Sequence, residues 1–119
     1  MVMDLTIDRY SFGIMTIGGR EFTSDLILYP DGHIQDNWWR PQGHNLLSDD
    51  ITAVLDANPE KLVIGTGASG MMRVSESVVE LCKNRGIEVE MCRTALAMTK
   101  FNEAAEAGTI VAACFHLTC

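Results

Sequence analysis

The sequence predicts an α/β protein in which an antiparallel β section is followed by helices packed on a largely parallel sheet. Two observations support this prediction. The first forty residues alternate between apolar and polar side chains around glycine turns, and from Ser48 onward short apolar strands alternate with amphipathic helices. With 119 residues, the chain is long enough to bury a core and short enough to form one domain, residues 1–119.

The antiparallel section contains two predicted turns. Gly18-Gly19 is a two-residue hairpin signal inside the alternating stretch 11–22. Residues 25–35 read as two short strands around Pro30-Asp31-Gly32, where proline presets φ and glycine accepts a positive φ. We therefore expect antiparallel strand pairs in both stretches.

The rest of the chain predicts three helices and three strands in alternation. Ser48, Ser75 and Thr94 are the predicted N-caps of the helices. The helices are expected to end at three breakers: Asn58-Pro59, Gly86 and Gly108. The strands are residues 61–64, 87–91 and 109–115. The first and last consist mainly of apolar residues, which indicates burial on both faces of the sheet.

The charge of the chain limits the class of partner. Sixteen acidic residues against nine Lys and Arg give a net charge of −7. Because an acidic surface repels phosphate groups, we expect neither nucleic acid nor an anionic membrane as a partner. No apolar run approaches membrane-spanning length.

The cysteines and the first ten residues indicate the compartment. Four cysteines, Cys82, Cys92, Cys114 and Cys119, contain no C-x-x-C pair, which favours free thiols in a reducing environment. Residues 1–10 lack the basic and apolar regions of a secretory signal and the Arg- and Ser-rich character of an organelle presequence. These features predict a cytoplasmic protein.

Residues 65–70 (GTGASG) match the G-x-G-x-x-G pattern of dinucleotide-binding proteins, and Glu90 stands where such proteins keep a ribose-binding acid. Two features argue against that interpretation. The predicted N-cap, Ser75, lies beyond the glycines, whereas a true fingerprint begins its helix within them. Only two strands follow, too few for a dinucleotide fold. We therefore expect no NAD, FAD or other cofactor.

The glycine loop can still be a site for a small anion. It follows the carboxyl end of a central strand, where open α/β sheets usually bind ligands. Gly65 and Gly67 permit a positive φ and could direct successive N–H groups outward, with Arg73 and Arg93 as counter-charges. The alternative is that the glycines only let the chain turn tightly. The ligand-site candidates are Gly65, Thr66, Gly67, Ser69, Arg73, Arg93, His116 and Cys119.

The last residues offer a second candidate chemistry. His116 and Cys119 are three apart, but two ligands do not make a metal site, and His33 and His44 lack close acidic or thiol partners in sequence, so no metal is predicted. A nucleophile pair of Cys119 with His116 is conceivable. No orienting Asp or Asn is identifiable, and the alternative is a structural tail.

Two consecutive tryptophans and an arginine indicate a contact surface. Adjacent residues of a strand point to opposite faces, so we expect one of Trp38 and Trp39 in the core and the other outward. An outward Trp beside Arg40 has the composition of an interface hot spot. The alternative is that both rings cap a small core. The interaction candidates are Trp38, Trp39, Arg40, Met71 and Met72.

Three segments together resemble one known family. They are residues 38–44 (WWRPQGH), residues 63–67 (VIGTG), and the stretch from Thr94, through Ala97 and Asn102, to the terminal HLTC of residues 116–119. These segments are similar to the small uncharacterised domain named after a methanogen locus (Mth, nine-three-eight). That family includes the human adipogenesis-associated protein carrying the domain and a mitochondrial complex I assembly factor.

The resemblance implies a three-layer α/β fold with a mixed, mostly parallel central sheet flanked by helices and an added N-terminal antiparallel β section. It implies no established reaction, and its best-described member assists assembly through protein contacts. The leading hypothesis is therefore a non-catalytic protein-interaction or assembly module that binds a protein partner or a second copy of itself. The alternative is a binder of a small anion, or an enzyme, at the glycine loop.

Overall fold

The computed structural model describes residues 5–119. Residues 1–4 belong to the amino-terminal stretch that was considered above for a leader sequence, and they lie outside the described residues. The strands are β1 (Ile7–Ser11), β2 (Ile14–Ile17), β3 (Arg20–Phe22), β4 (Leu26–Leu28), β5 (Ile34–Gln35), β6 (Asn45–Leu46), β7 (Lys61–Gly65), β8 (Arg73–Val74), β9 (Glu88–Cys92) and β10 (Val111–Phe115). The helices are α1 (Thr52–Asp56), α2 (Glu76–Asn84) and α3 (Thr94–Glu106), with a 3₁₀ turn at Ser48–Asp50.

The central sheet is mixed and has the strand order β5-β4-β10-β7-β9. Strand β7 lies between β10 and β9 and pairs with both in parallel, whereas β4 pairs with β10 and β5 in antiparallel. Strands β7 and β10 are almost entirely buried, as their continuous apolar sequences predicted.

Helices and a second sheet cover the two faces of the central sheet. One core cluster joins the central strands to α1 and α2, through side chains such as Val54 and Val78. The other joins them to α3 and to the antiparallel sheet β1-β2-β3, through side chains such as Phe101 and Met15. The three-layer α/β fold with an added antiparallel section is confirmed.

Several local predictions are confirmed at the level of single residues. The Ser75 hydroxyl accepts a hydrogen bond from the Ser77 amide at 3.1 Å, as an N-cap of α2 should. Gly18 and Gly19 both have positive φ in the turn between β2 and β3. Gly32 does the same between β4 and β5.

Two predicted N-caps are wrong. Ser48 opens a 3₁₀ turn instead of capping a helix, and the carboxylate of Asp50 accepts from the Leu47 amide at 2.9 Å. Thr94 is already the first residue of α3. Its hydroxyl donates to the His116 carbonyl at 2.6 Å and accepts from the Gly67 amide at 2.9 Å, so the tertiary contacts replace the capping bond.

One strand pair was not predicted. Residues 71–74, for which no element was predicted, contain β8, which pairs in parallel with β6. Two residues on each strand are too few to leave a periodic signal in the sequence. Among the helices of residues 5–119, none combines the length and apolar character needed to cross a bilayer.

Candidate functional site

The candidate residues gather at one edge of the central sheet. The glycine loop follows β7, Arg93 follows β9 and His116 follows β10, and these three strands run in parallel. Strand β4 runs the other way, so the residue before it, Asp25, lies at the same edge. The carboxyl edge of parallel strands is where α/β sheets usually place ligands.

The end of the chain occupies the glycine loop. The Ala68 amide donates to the Thr118 carbonyl at 2.7 Å, and the Ser69 and Met71 amides donate to the Cys119 oxygen at 3.2 and 3.0 Å. The Gly67 amide is held by Thr94. The N–H groups that we predicted for an anion are thus bonded within the chain, and an anion would have to replace the tail.

Two of the loop glycines are required for different reasons. Gly67 has a φ of 110°, and a Cβ there would lie 2.4 Å from the Cys119 carbonyl carbon. Gly65 does not have a positive φ, although glycine would permit one. Glycine is required at this position because there is no room for a side chain. A Cβ would lie 2.7 Å from Phe115 Cδ1 and 2.9 Å from Thr94 Oγ1.

The remaining loop candidates are spread around this contact. Thr66 donates its hydroxyl hydrogen to the Cys92 carbonyl at 3.1 Å. Ser69 is exposed, and the side chain of Arg93 lies beside Gly70. Arg73 is exposed in β8, just beyond the loop. The structure therefore brings Thr66, Ser69 and Arg93 to the loop and leaves them as ligand candidates.

A buried cluster of three ionisable side chains lies next to the loop. The Asp25 carboxylate, through Oδ2, accepts from Arg40 Nη2 at 2.8 Å and from His116 Nδ1 at 2.7 Å. Its other oxygen accepts from the Leu117 amide at 2.8 Å. Because the carboxylate can only accept, Nδ1 carries the proton, and the 3.4 Å approach of Arg40 Nη2 to Nδ1 is a contact between two donors.

Sequence reasoning missed Asp25, and this changes the interpretation of His116. The orienting carboxylate that the sequence did not reveal is present, but the imidazole is directed at Asp25 and Arg40. Among residues 5–119, no hydrogen bond joins it to the Cys119 thiol. In the same residues, no three His, Cys, Asp or Glu side chains are grouped as metal ligands would be.

The cluster leaves several buried nitrogens without a partner. Arg40 Nε, Arg40 Nη1 and His116 Nε2 are all buried and have no hydrogen-bond acceptor or donor among residues 5–119. An unmatched buried polar group destabilises a fold by about 1–3 kcal/mol, and more when it is charged. Such groups are usually matched by an internal water or by a ligand.

Hydrogen bonds and ion pairing lower the pKa of Asp25 although burial opposes this. Burial alone would raise the pKa of the carboxyl, and it is the largest single influence. The bonds from His116, Leu117 and Arg40 together outweigh it, so the pKa lies below its ordinary value. Asp25 is therefore ionised at neutral pH.

The two tryptophans have opposite environments, as predicted, but Arg40 does not lie at the surface as we predicted. Trp38 is 5% exposed and Trp39 is 78% exposed. Neither lies in a strand, so the opposition arises in a segment without regular secondary structure. The prediction of Arg40 as a surface residue is wrong: its guanidinium is buried 4.4 Å from the centre of the Trp38 ring, because Asp25 holds it inward.

The two adjacent methionines also differ in their exposure to solvent. Met71 is 55% exposed, whereas Met72 is buried in the core beneath α1 and α2. The prediction of Met72 as an interaction residue is therefore wrong. Trp39 and Met71 remain exposed apolar candidates.

An open depression of about 320 Å³ lies beside the exposed tryptophan. It is lined by Ser24, Asp25, Asn37, Trp38 and Trp39. Asp25 and Trp38 thus line the depression and also contact the buried Arg40. The depression is therefore adjacent to the buried cluster.

The four cysteines are predicted to differ in reactivity. All four are free; Cys82 and Cys114 are buried, and Cys119 is exposed. Burial raises the pKa of Cys114 to about 12 and also raises that of Cys82. We expect a thiol reagent under native conditions to modify Cys119 much faster than either, as measured by mass spectrometry of peptides. Faster labelling of Cys82 or Cys114 would contradict their place in the core.

Solved structures with the same fold cover nearly the whole chain. A protein named MT938 is 24% identical, with a TM-score of 0.82 and coverage of 98% of this chain and 100% of that one. A conserved hypothetical protein from Pyrococcus horikoshii is 25% identical, with a TM-score of 0.83 and coverage of 96% and 99%. A Mth938-like domain from Bordetella pertussis is 17% identical, with a TM-score of 0.68 and coverage of 94% and 85%.

A family model described as "Protein of unknown function (DUF498/DUF598)" matches residues 7–116, which include the buried cluster, the glycine loop and both tryptophans. The match spans most of the 119 residues. Together with the fold shared with MT938 and the Mth938-like domain, it confirms the resemblance that the sequence suggested. The chain therefore belongs to the DUF498/DUF598 family, and it shares its fold with MT938 and the Mth938-like domain.

Proposed function

We propose that the protein is a non-catalytic protein-interaction module, acting in assembly, whose contact surface centres on Trp39 and the depression beside it. One observation carries this proposal. Trp39 projects into solvent between two buried neighbours, Trp38 and Arg40. The Trp38 amide donates to the Asp25 carbonyl at 3.0 Å, so the backbone on this side is fixed while the ring remains exposed.

This arrangement suits recognition for an energetic reason. An anchor whose backbone is already ordered loses little conformational freedom on binding, which leaves more of its contact energy as affinity. Tryptophan is among the side chains that contribute most to protein interfaces. A large exposed ring beside an open, largely apolar depression fits a protein surface that covers both.

The partner is a protein, either a second copy of this chain or another polypeptide. The net charge of −7 disfavours nucleic acid and anionic lipid as partners. The four free thiols fit a reducing compartment, so we further propose the cytoplasm. Binding of an anion at the glycine loop remains a prediction, and it requires residues 118–119 to leave the loop.

Replacing Trp39 by alanine tests the proposal. We expect Trp39→Ala to weaken self-association or partner binding about thirtyfold, because a hot-spot tryptophan contributes about 2 kcal/mol or more. The measurement is sedimentation equilibrium for self-association and quantitative pull-down for a partner. Thermal unfolding of the variant should match the wild type, since the exposed ring adds little to the core.

Phe12 offers a matched control for this experiment. It is also a large exposed aromatic, 63% exposed, in the turn between β1 and β2. Phe12→Ala should leave association unchanged. Equal effects of the two substitutions, or no effect of Trp39→Ala on any association of the wild type, would place the interface elsewhere.

A further inference from the structure

The segment that builds the surface around Trp39 is rich in acidic residues and poor in basic ones. Residues 24–50 include all the residues that line the depression beside Trp39. This segment contains no lysine, and its one arginine, Arg40, is buried and paired with Asp25 at 2.8 Å. Arg40 therefore balances the charge of Asp25 and offers no positive charge to a partner.

Two further acidic residues at this surface have no counter-charge. Asp36 is exposed and immediately precedes Asn37, which lines the depression. The Asp50 carbonyl accepts from Trp38 Nε1 at 3.2 Å, so Asp50 lies against a wall of the depression. The ion pairs found among residues 5–119 involve neither Asp36 nor Asp50. A partner that covers Trp39 thus meets uncompensated negative charge.

This charge disfavours a second copy of the chain as the occupant of the surface. In a symmetric dimer the same patch faces itself, so Asp36 and Asp50 of one copy would approach those of the other. Like charges that meet across an interface oppose binding. Each copy also has a net charge of −7, which opposes their approach. The surface is better matched by a different protein of opposite charge.

We propose that the occupant is a basic segment of another protein, which places an Arg or Lys side chain across the ring of Trp39. This inference rests on the proposed function, because it names the partner of the same surface. The face of a tryptophan ring attracts a cation, and the protein already uses this contact internally, with Arg40 4.4 Å from the centre of the Trp38 ring. The apolar stem of the partner's side chain packs in the depression, while its charged end stays near the carboxylates.

Asp25 has capacity for one more hydrogen bond. A carboxylate has about four acceptor positions. Asp25 uses two at Oδ2, for Arg40 and His116, and one at Oδ1, for the Leu117 amide. Its side chain is 17% exposed and lines the depression. A guanidinium or ammonium group that enters the depression can therefore donate to Asp25.

Two end-blocked peptides, Gly-Arg-Leu-Arg-Gly and Gly-Glu-Leu-Glu-Gly, test the charge of the partner. Each is titrated into ¹⁵N-labelled protein at low ionic strength and followed by nuclear magnetic resonance. We expect the basic peptide alone to give a saturable shift of Trp39 Nε1–H, and we expect added salt to suppress it. Trp38 Nε1–H, which is bonded to the Asp50 carbonyl, should shift less. Equal shifts with both peptides, or no saturable shift with the basic one, would overturn the proposal.

Two variants that each remove one carboxylate separate this surface from a general attraction to an acidic protein. Asp36→Asn should bind the basic peptide about threefold more weakly. Glu106→Gln is the matched control and should bind like the wild type. Glu106 is exposed at the end of α3, which begins after β9 and ends before β10, so it lies near the amino ends of the parallel strands. Equal weakening in the two variants would contradict a site at Trp39.

Sedimentation equilibrium separates the failure of this inference from the failure of the proposed function. We expect the wild type to be a monomer whose Trp39 signal responds to the basic peptide. A wild-type dimer that Trp39→Ala dissociates would support an interaction module at this surface and would overturn the basic partner.

Discussion

Replacing Asp25 by alanine should lower the free energy of unfolding by about 3 kcal/mol at neutral pH, among the largest effects of any single change in this chain. The variant leaves the Arg40 guanidinium buried without its counter-charge and removes the acceptor of His116 Nδ1 and of the Leu117 amide. Because the carboxylate is partly exposed, we expect the lower end of the range known for broken buried pairs. Urea unfolding measures the difference.

Asp56→Ala is the matched control. Asp56 also pairs with an arginine, Arg85, at 2.9 Å, but both side chains are substantially exposed. Exposed pairs contribute about 1 kcal/mol or less, so this variant should remain close to the wild type. Similar losses in the two variants would mean that burial does not distinguish the Asp25 cluster.

The effect of Asp25 should depend on pH in a definite direction. The pKa of Asp25 is lowered in the folded protein, so its contribution to stability is fully present above the unfolded value of about 3.9. It is lost as the pH falls through the lower, folded pKa. The difference in unfolding free energy between the wild type and Asp25→Asn should therefore narrow in acid. A difference that widens in acid would contradict the lowered pKa.

Gly67→Ala is expected to destabilise the protein by at least about 2 kcal/mol and to release the tail from the glycine loop. The backbone at Gly67 has a φ of 110°, which side-chain-bearing residues rarely adopt. An added Cβ would also lie 2.7 Å from the carbonyl oxygens of Thr118 and Cys119. The contact disappears if the tail moves away.

Hydrogen exchange measures the release of the tail directly. The amides of Ala68, Ser69 and Met71 bond to residues 118–119, so they should exchange faster in Gly67→Ala than in the wild type. Gly43→Ala is the control, because its φ is not positive and a Cβ there would meet nothing within 4 Å. Unchanged exchange at these amides in Gly67→Ala would show that the loop tolerates the side chain.

Most of the fold follows from local sequence signals. The Gly18-Gly19 hairpin, the Ser75 cap and the buried strands β7 and β10 were predictable because each depends on residues adjacent in the chain. The predicted cap at Thr94 was wrong because its hydroxyl bonds to residues 27 and 22 positions away. Local patterns carry no information on such distant partners.

The buried cluster could not be predicted for the same reason. Asp25 is 91 positions from His116. The available signal was indirect: Asp25 precedes β4 and His116 follows β10, so antiparallel pairing of these strands brings the two residues together. The sequence predicted both strands but not that they pair. Without that pairing, Arg40 appeared to be a surface residue beside an exposed tryptophan.

Site-specific photo-crosslinking tests the proposed contact surface most directly. A photoreactive phenylalanine analogue is placed at Trp39 in one variant and at Phe12 in another, and both are irradiated in living cells. Both positions hold exposed aromatic residues, so the analogue can reach a neighbouring protein from either one. We predict a discrete crosslinked protein species at position 39, either a dimer or a complex with a partner, that is absent at position 12. No discrete species at position 39, or the same species at both positions, would contradict the assignment of Trp39 to an interface.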